Sequence, residues 1–493
     1  MLDAKPIGCF LLALIMGLGE AAAGNPPPVG QATMRRPPSI SAKGETIDLS
    51  LADAVFLGLR GNRTIRSAYF ERVAQKYDLR VAEDYFNPKL VLAGRYIATR
   101  SQDDGTREGN IAPITRMITP IGTQLSLGWN SQINRSDRYG NQHSNGVTFT
   151  VIQPLLRGAG RDVATAPTRL ARLIEQNNRL MLQATVSDTV TRIILAYREL
   201  LRNQEQLTIA SESLARSRQL LEINKALIAA GRMAQFEIIQ TEADAANQEL
   251  GVEEARNQMD ASKLALLQLL ALDLNNPIKA SDSLKADPMQ INELQAQRVA
   301  LEHQPDYLSQ VIAGEQADIN LVVARNNSLW DVSLVGGANQ ARSRLSGGYE
   351  SRIDRNWQSY AGIQIEVPIG DLSTRQSEVH AKVTVDSQAV RIKEAEQQLE
   401  RDIANAVRDV QSRWRQYEIS GRARDLSKKK LEFEREKLQA GRSSNFQVLS
   451  FENDLRNAEN ARLNALIGYL NAQTQLDQRL GMTLISWDIA LND

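Results

Sequence analysis

The sequence predicts an α+β membrane protein in which short strands continue into very long coiled-coil helices, and this arrangement occurs twice. Three observations support this fold class: paired motifs recur at nearly constant spacing, short segments alternate apolar and polar residues, and two long segments carry an apolar heptad. Aromatic residues make up only 5% of the 493 residues, which is typical of long helices. The 58 basic and 58 acidic residues balance, so nucleic acid is not indicated as the main partner.

The N-terminus has the pattern of a secretory signal peptide covering residues 1–23. Lys5 supplies a positive charge, residues 7–18 form a short apolar run, and Ala21 to Ala23 provide a small-residue cleavage site. The run is too short for a membrane anchor, and Cys9, the single cysteine of the chain, lies inside it. Residues 24–45 are rich in proline and predict a flexible lead-in. We therefore expect an exported chain that is periplasmic, secreted or located in the outer membrane.

Internal repetition defines the architecture. Matching residues are separated by 242 positions for Leu79 and Leu321, by 214 for Pro154 and Pro368, and by 210 for Gly231 and Gly441. The decrease from 242 to 214 places about 28 extra residues among the strands of the first unit. Each unit is predicted to contain a helix (residues 51–86 or 291–328), strands, a very long helix, a tight turn and a returning helix.

The segments between the helices alternate with period two, as half-buried or barrel strands do. The alternating segments are residues 89–96, 124–132, 147–151, 330–338 and 361–367. Tyr139, Tyr349, Trp357 and Tyr360 lie near strand ends and favour an aromatic girdle. Residues 99–120 are polar and rich in turn formers, so we expect an insertion that interrupts the first strand, with residues 124–132 as its spanning part. A third hairpin per chain, in a larger barrel, is the alternative.

The long helices are marked by apolar residues seven positions apart, a spacing that imposes supercoiled packing. The first series is Val186, Ile193, Leu200, Leu207, Leu214, Leu221 and Ile228. The second series is Ile403, Val410, Tyr417, Leu431 and Leu438, interrupted only by Arg424. The predicted organisation is a first repeat at 46–275, a linker at 276–290, a second repeat at 291–482 and a C-terminal tail at 483–493.

The sequence contains no motif that indicates catalysis or a cofactor. His143, His303 and His380 are far apart and have no Cys or His companions at metal-ligand spacing. Glycine-rich phosphate-binding patterns are also absent from the sequence. We therefore expect neither an enzyme nor a metal protein.

Four strands cannot close a membrane barrel, since the smallest barrels need about eight. An open sheet edge in lipid would leave backbone groups without hydrogen bonds. Either the strands lie outside a membrane, or several chains share one barrel.

The order, duplication and spacing of several motifs resemble the TolC family of outer membrane efflux proteins over nearly all of the mature chain. The motifs are LADAVFLGLRGN (51–62), VAEDYFNPKLVLAG (81–94), VIQPLLRGAGRDV (151–163), AAGRMAQFEIIQTEADAAN (229–247), ALEHQPDY (300–307), VPIGDLSTR (367–375) and QAGRSSNFQVLSFENDL (439–455). The resemblance implies a homotrimer with four strands per chain, a twelve-stranded barrel and a periplasmic α-helical tunnel. It also implies an outer-membrane location and docking to a periplasmic adaptor and an inner-membrane transporter, for efflux or type I secretion.

The two hairpin tips are the candidate functional site. The resemblance makes them the periplasmic entrance and the adaptor contact, carried by Gly231, Arg232, Phe236, Gly441, Arg442, Ser443 and Phe446. In the best-known members acidic residues narrow the entrance, but the corresponding positions here are Gln447 and Ser450. Glu237 or Glu452 could substitute for the missing carboxylates. Pro154, Gly158, Pro368 and Gly370 are expected to form the turns between barrel and tunnel.

Two functions remain to be distinguished. The first is a passive outer-membrane duct whose cargo is selected by its partner transporter. The second is a non-porous periplasmic coiled-coil protein, which would explain the heptads but neither the alternating strands nor the duplication.

Overall fold

The structure, a computed structural model, describes residues 47–102, 104–138, 140–346 and 352–491. The predicted signal peptide (1–23) and lead-in (24–45) lie outside the described residues, as do Tyr139 and Tyr349. The described elements follow the order of the two predicted units.

Both units contain two helices, then strands, then a very long helix and a returning helix, and the first unit has more strands. The first unit consists of β1 (Ile47–Leu49), α1 (Leu51–Gly61), α2 (Arg63–Glu83), a 3₁₀ turn (Asp84–Phe86), β2 (Lys89–Arg100), β3 (Gly105–Ile118), β4 (Gln124–Ser136), β5 (Gly140–Pro154), α3 (Arg161–Ala164), α4 (Ala166–Ala229) and α5 (Glu237–Leu270). After β6 (Ile278–Ala280), the second unit consists of α6 (Glu293–His303), α7 (Pro305–Asn327), β7 (Asp331–Ser346), β8 (Arg352–Glu366), α8 (Ser373–Gln439), α9 (Asn445–Arg479) and α10 (Thr483–Ser486).

The first helix of each unit is broken at an equivalent residue. Asn62 separates α1 from α2, and its side-chain oxygen accepts a hydrogen bond from the Thr64 amide at 2.8 Å. Gln304 separates α6 from α7, and its side-chain oxygen accepts from the Tyr307 amide at 2.9 Å. Both residues therefore act as N-caps. They are 242 positions apart, so the repeat extends to the joints between helices.

The long helices have the predicted extent. Helices α4 and α8 contain 64 and 67 residues, and at 1.5 Å per residue each is about 100 Å long. The apolar series of α8 is buried at Ile403, Val410, Leu431 and Leu438. The series of α4 is buried only as far as Leu200 in the single chain, and its later members are partly exposed. This half of α4 therefore keeps an apolar edge that its own chain does not cover.

The prediction of four strands per chain is wrong. One antiparallel sheet contains six strands in the order β2-β3-β4-β5-β7-β8. Residues 99–120 do not interrupt the first strand, because β2 is continuous and most of this segment forms β3. The third hairpin that the sequence left as an alternative is present, formed by β3 and β4.

Strand β3 tolerates a proline because its pairing is interrupted at that residue. Pro113 pairs with Leu92 of β2, whereas the β3–β4 pairing skips Ala112 and Pro113. Proline has no N–H to donate to a ladder, so the gap falls where a hydrogen bond cannot form. Paired strands on both sides hold the segment extended in spite of its turn-forming composition.

The two units are also joined at the N-terminus of the described chain. Strand β1 pairs in parallel with β6, which lies within the predicted linker at 276–290. The predicted tail at 483–493 begins with the short helix α10. Among the described residues, we find no helix that combines the length and the apolar character needed to cross a bilayer.

Candidate functional site

Each hairpin tip is a helix terminus closed by a glycine with positive φ. Gly231 has φ +70° and Gly441 has φ +73°, a conformation that costs a residue with a side chain about 1–2 kcal/mol. The amide of Arg232 donates a hydrogen bond to the Leu227 carbonyl at 2.8 Å, and the amide of Gly231 donates one to the Ile228 carbonyl at 2.9 Å. This pair of bonds is a Schellman motif. The second tip repeats it around Gly441.

Exposed side chains extend from both tips. Phe236 is 73% exposed and Phe446 is 66% exposed, and Arg232 and Arg442, four positions earlier in the sequence, are also exposed. Each tip therefore presents one aromatic ring and one guanidinium group to its surroundings. Large exposed apolar groups of this kind mark contact surfaces.

A buried polar cluster joins the two tips. The Asn224 side-chain amide of α4 donates to Asn445 Oδ1 of α9 at 2.7 Å and lies 2.7 Å from Thr241 Oγ1 of α5. Asn445 in turn donates to Thr241 Oγ1 at 2.9 Å. All three side chains are almost completely buried. Hydrogen bonds between buried groups are strong and directional, so the cluster sets the position of one hairpin relative to the other.

Sequence reasoning missed this cluster because it followed apolar residues. Asn203, Ser217 and Asn224 are buried and share one heptad phase of α4. This polar series lies beside the predicted leucine series and was the signal available in the sequence. A second contact links the tips at the surface, where the Arg232 guanidinium lies 3.5 Å from the Gln439 carbonyl.

The structure separates the candidate residues of the constriction. Glu452 is only 5% exposed and is ion-paired with Arg435 and, at 3.0 Å, with Arg216. It is therefore committed to packing within the chain and is not a free carboxylate. Gln447 is exposed, whereas Ser450 and Glu237 are partly buried.

An ion-paired carboxylate stabilises the second tip. Ser443 donates its hydroxyl hydrogen to Glu434 at 2.5 Å, and the Lys437 ammonium group lies 3.0 Å from the same carboxylate. Both contacts favour the ionised form, with the Ser443 hydrogen bond as the larger cause. The pKa of Glu434 is consequently held below its ordinary value of 4.5. Ser443 thus has a role in the turn itself.

The two predicted turns between strands and long helices differ. Pro154 is buried, and the amide of Gly158, which has φ +82°, donates to Asn326 Oδ1 at 2.6 Å. In the second unit Pro368 and Gly370 are exposed, with open space around Gly370. The first turn therefore packs on its own chain, while Pro368 and Gly370 of the second turn remain exposed.

The six-stranded sheet has two chemically distinct faces. The strand registers place one set of apolar residues on one face, which we call the apolar face. Its large exposed members include Leu90, Leu92, Tyr96, Ile111, Leu127, Trp129, Ile133, Val147, Phe149, Leu334, Ile353, Trp357, Ile363 and Ile365. The opposite, polar face carries amides and hydroxyls, including Ser126, Gln132, Thr148, Asn339 and Gln358.

Comparison with known proteins gives a consistent family and fold. Residues 297–482, within the second unit, match the family model described as outer membrane efflux protein. No relative was found among curated protein sequences.

Three solved structures are similar over most of the chain. The CmeC outer membrane channel of Campylobacter jejuni is 16% identical with a TM-score of 0.65, covering 88% of this chain and 86% of that one. A membrane protein from Pseudomonas aeruginosa is 17% identical with a TM-score of 0.68, and the match covers 94% of this chain and 98% of that one. The MtrE outer membrane channel of Neisseria gonorrhoeae, solved in an open state, is 15% identical with a TM-score of 0.66. The match covers 88% of this chain and 89% of that one.

The predicted TolC-like fold class is thereby confirmed, with the strand number corrected to six per chain. The family match covers the second unit, and the fold match covers both units. Residues 297–482 therefore match the outer membrane efflux protein family, and both units share the fold of solved outer membrane channels.

Proposed function

We propose that this chain is the subunit of an outer-membrane exit duct that passively conducts the substrates of an efflux system from the periplasm to the exterior. The observation that carries the proposal is the sheet, which is apolar on one face and polar on the other, and whose edges β2 and β8 have no pairing strand among the described residues. Lipid requires an apolar outer surface and a closed ladder of backbone hydrogen bonds. Several copies must therefore join edge to edge.

Helix faces left uncovered in the single chain support the same assembly. Helix α2 exposes Phe70, Val73, Tyr77 and Val81 along one stripe. By the 242-residue repeat, Tyr77 corresponds to Ile319 of α7, which is buried within the chain. An equivalent neighbour supplied by a second copy would bury Tyr77 in the same way. The TolC resemblance implies three copies, with the long helices forming a periplasmic tunnel.

Membrane fractionation and planar-bilayer conductance test the duct. We expect the mature protein in the outer-membrane fraction, and discrete conductance steps after its reconstitution. A soluble product that does not conduct would instead favour the non-porous coiled-coil protein, and the duct proposal would have to be abandoned.

We further propose that the tips contact a periplasmic adaptor, which connects the duct to an inner-membrane transporter of a tripartite efflux or type I secretion system. The exposed residues Arg232, Phe236, Arg442 and Phe446 support this, because aromatic and arginine side chains are enriched where proteins bind one another. Arg442→Glu should abolish export without preventing oligomer assembly. Lys428→Glu, at an exposed residue within α8, is the matched control and should export normally. Normal export by Arg442→Glu would argue against the contact.

A further inference from the structure

The hairpin formed by β3 and β4 is held by hydrogen bonds at both ends of its strands. Its strands contain 14 and 13 residues, more than the 9–11 needed to cross a bilayer. At one end, Ser136 donates to Asp104 at 2.6 Å and the Asp137 amide donates to the Gly105 carbonyl at 3.0 Å. At the other end, Thr123 donates to the Gln153 side chain at 2.5 Å. The hairpin thus spans the full height of the sheet.

The hairpin also follows the two-faced pattern of its neighbours. On the apolar face, Ile111 and Leu127 are exposed large side chains of β3 and β4. On the polar face, Glu108 of β3 lies 3.1 Å from Arg95 of β2 and accepts from Gln132 of β4 at 3.0 Å. A flap lying outside the membrane would not need an apolar side that continues across six strands.

From these observations, and resting on the proposed duct, we infer that three copies close a barrel of eighteen strands, six from each chain, instead of twelve. The diameter of a barrel grows roughly linearly with strand number, so the exit is about 1.5-fold wider at equal tilt. Its wall is hydrophilic, and part of its charge is neutralised, since Arg95 is paired with Glu108 and Arg352 lies 2.9 Å from Asp354. The exit therefore suits bulky hydrated cargo, such as a polymer chain.

The internal repeat predicts the register of the seam between copies. Within the chain, β5 pairs with β7, with Phe149 opposite Ala338. A shift of 214 positions converts β5 into β8, and a shift of 242 converts β7 into β2. The same pairing between copies then places Ile363 opposite the partner's Tyr96. Both residues lie on the apolar face of their own chain, whereas a slip by one residue would turn one of them to the polar face.

Cysteine cross-linking tests this seam directly in full-length protein in native membranes. The pair Tyr96→Cys with Ile363→Cys should form disulfide-linked dimers and trimers with a lipid-soluble oxidant, because directly opposed residues meet the distance requirement. If the barrel closes through β4 and leaves β2 and β3 outside, β4 takes the place of β7 at a shift of 207 positions, and the pair Ser131→Cys with Ile363→Cys should cross-link instead. That result, or conducting protein that cross-links with neither pair, would overturn the inference. Loss of both conductance and oligomers would count against the duct itself.

Deletion of residues 105–132 tests the predicted width of the barrel exit. The deletion removes the 28 residues by which the first unit exceeds the second and should leave four strands per chain. A density map of the wild-type oligomer should show eighteen strands, and one of the deletion variant should show twelve. Polymers added on the extracellular side should enter the wild-type exit up to a radius about 1.5-fold larger. Twelve strands in the wild-type map, or equal polymer limits for two assembled proteins, would overturn the inference.

Discussion

The polar cluster between the tips leads to a quantitative prediction about how firmly the two hairpins are held together. Asn445 is 1% exposed and contributes two short hydrogen bonds, one with Asn224 at 2.7 Å and one with Thr241 at 2.9 Å. Asn445→Ala removes both bonds. Each bond contributes about 1 kcal/mol net, and the cavity left by the side chain adds to the loss. The free energy of separating the tips should therefore fall by about 2–3 kcal/mol.

Hydrogen exchange of the tip amides, followed by mass spectrometry, measures this free energy as local opening. A loss of 2–3 kcal/mol corresponds to exchange faster by about 30-fold to 150-fold in the two tips, with little change in the middle of the helices. Gln447→Ala is the matched control, because this side chain is exposed in the same turn of α9. Acceleration below threefold for Asn445→Ala, or equal acceleration in the control, would refute the assigned role of the cluster.

Three further predictions concern the turns. Gly231→Ala should lower the stability of the first tip by about 1–2 kcal/mol because of its positive φ, whereas Gly251→Ala, in an open position within α5, should raise stability by about 0.5–1 kcal/mol. Protection of the backbone amides of the second tip from hydrogen exchange should decrease as the pH falls below 4.5, because protonated Glu434 no longer stabilises the folded turn as a carboxylate. Gly122→Ala should destabilise the β3–β4 turn by at least about 2 kcal/mol, since its Cβ would lie 2.4 Å from the Gly158 carbonyl oxygen.

Matched variants separate the causes in these predictions. The pKa of Glu434 is lowered in the folded protein, so the carboxylate contributes its full stabilisation of the tip at pH values above its ordinary pKa. This stabilisation is lost as the pH falls through the pKa of the folded state. Glu434→Gln should therefore remove the pH dependence of tip protection. For Gly122, the comparison is Gly160→Ala, which has a similar positive φ but nothing within 4 Å of its Cβ. Equal effects of the two alanine variants would show that the contact with Gly158 is unimportant. Thermal unfolding in detergent is a suitable measurement for the glycine pairs.

The helices were predictable because their periodicity is strong and repeated. The apolar series through Ile403 and Val410 is buried as expected, and both tips occur at Gly231 and Gly441. Burial within a coiled coil is enforced every seven residues, so a single irregular position such as Arg424 does not hide the pattern.

Strand β3 was not predictable in the same way. Gly105, Gly109 and Pro113 weaken its strand signal, and its two faces are only slightly different in polarity. Pairing with β2 and β4 keeps it extended, and such tertiary hydrogen bonds leave no trace in local composition. For the cluster around Asn445, the polar series of α4 was visible in the sequence, but its pairing with Asn445 was not, because the contacts of Asn445 join residues more than 200 positions apart.

The added hairpin creates a mismatch between the sheet and the helices below it. Helices α2 and α4 remain packed together, with Arg72 2.6 Å from Glu175, although the strands that follow and precede them, β2 and β5, are separated by two others. Two strands add about 10 Å of width. The turn at residues 119–123 joins these two strands, and its Gly122 closely approaches the loop at Gly158. A loosened turn would therefore let ions leak sideways into the periplasm, so the outer membrane would lose its barrier to small toxic solutes even while export continued.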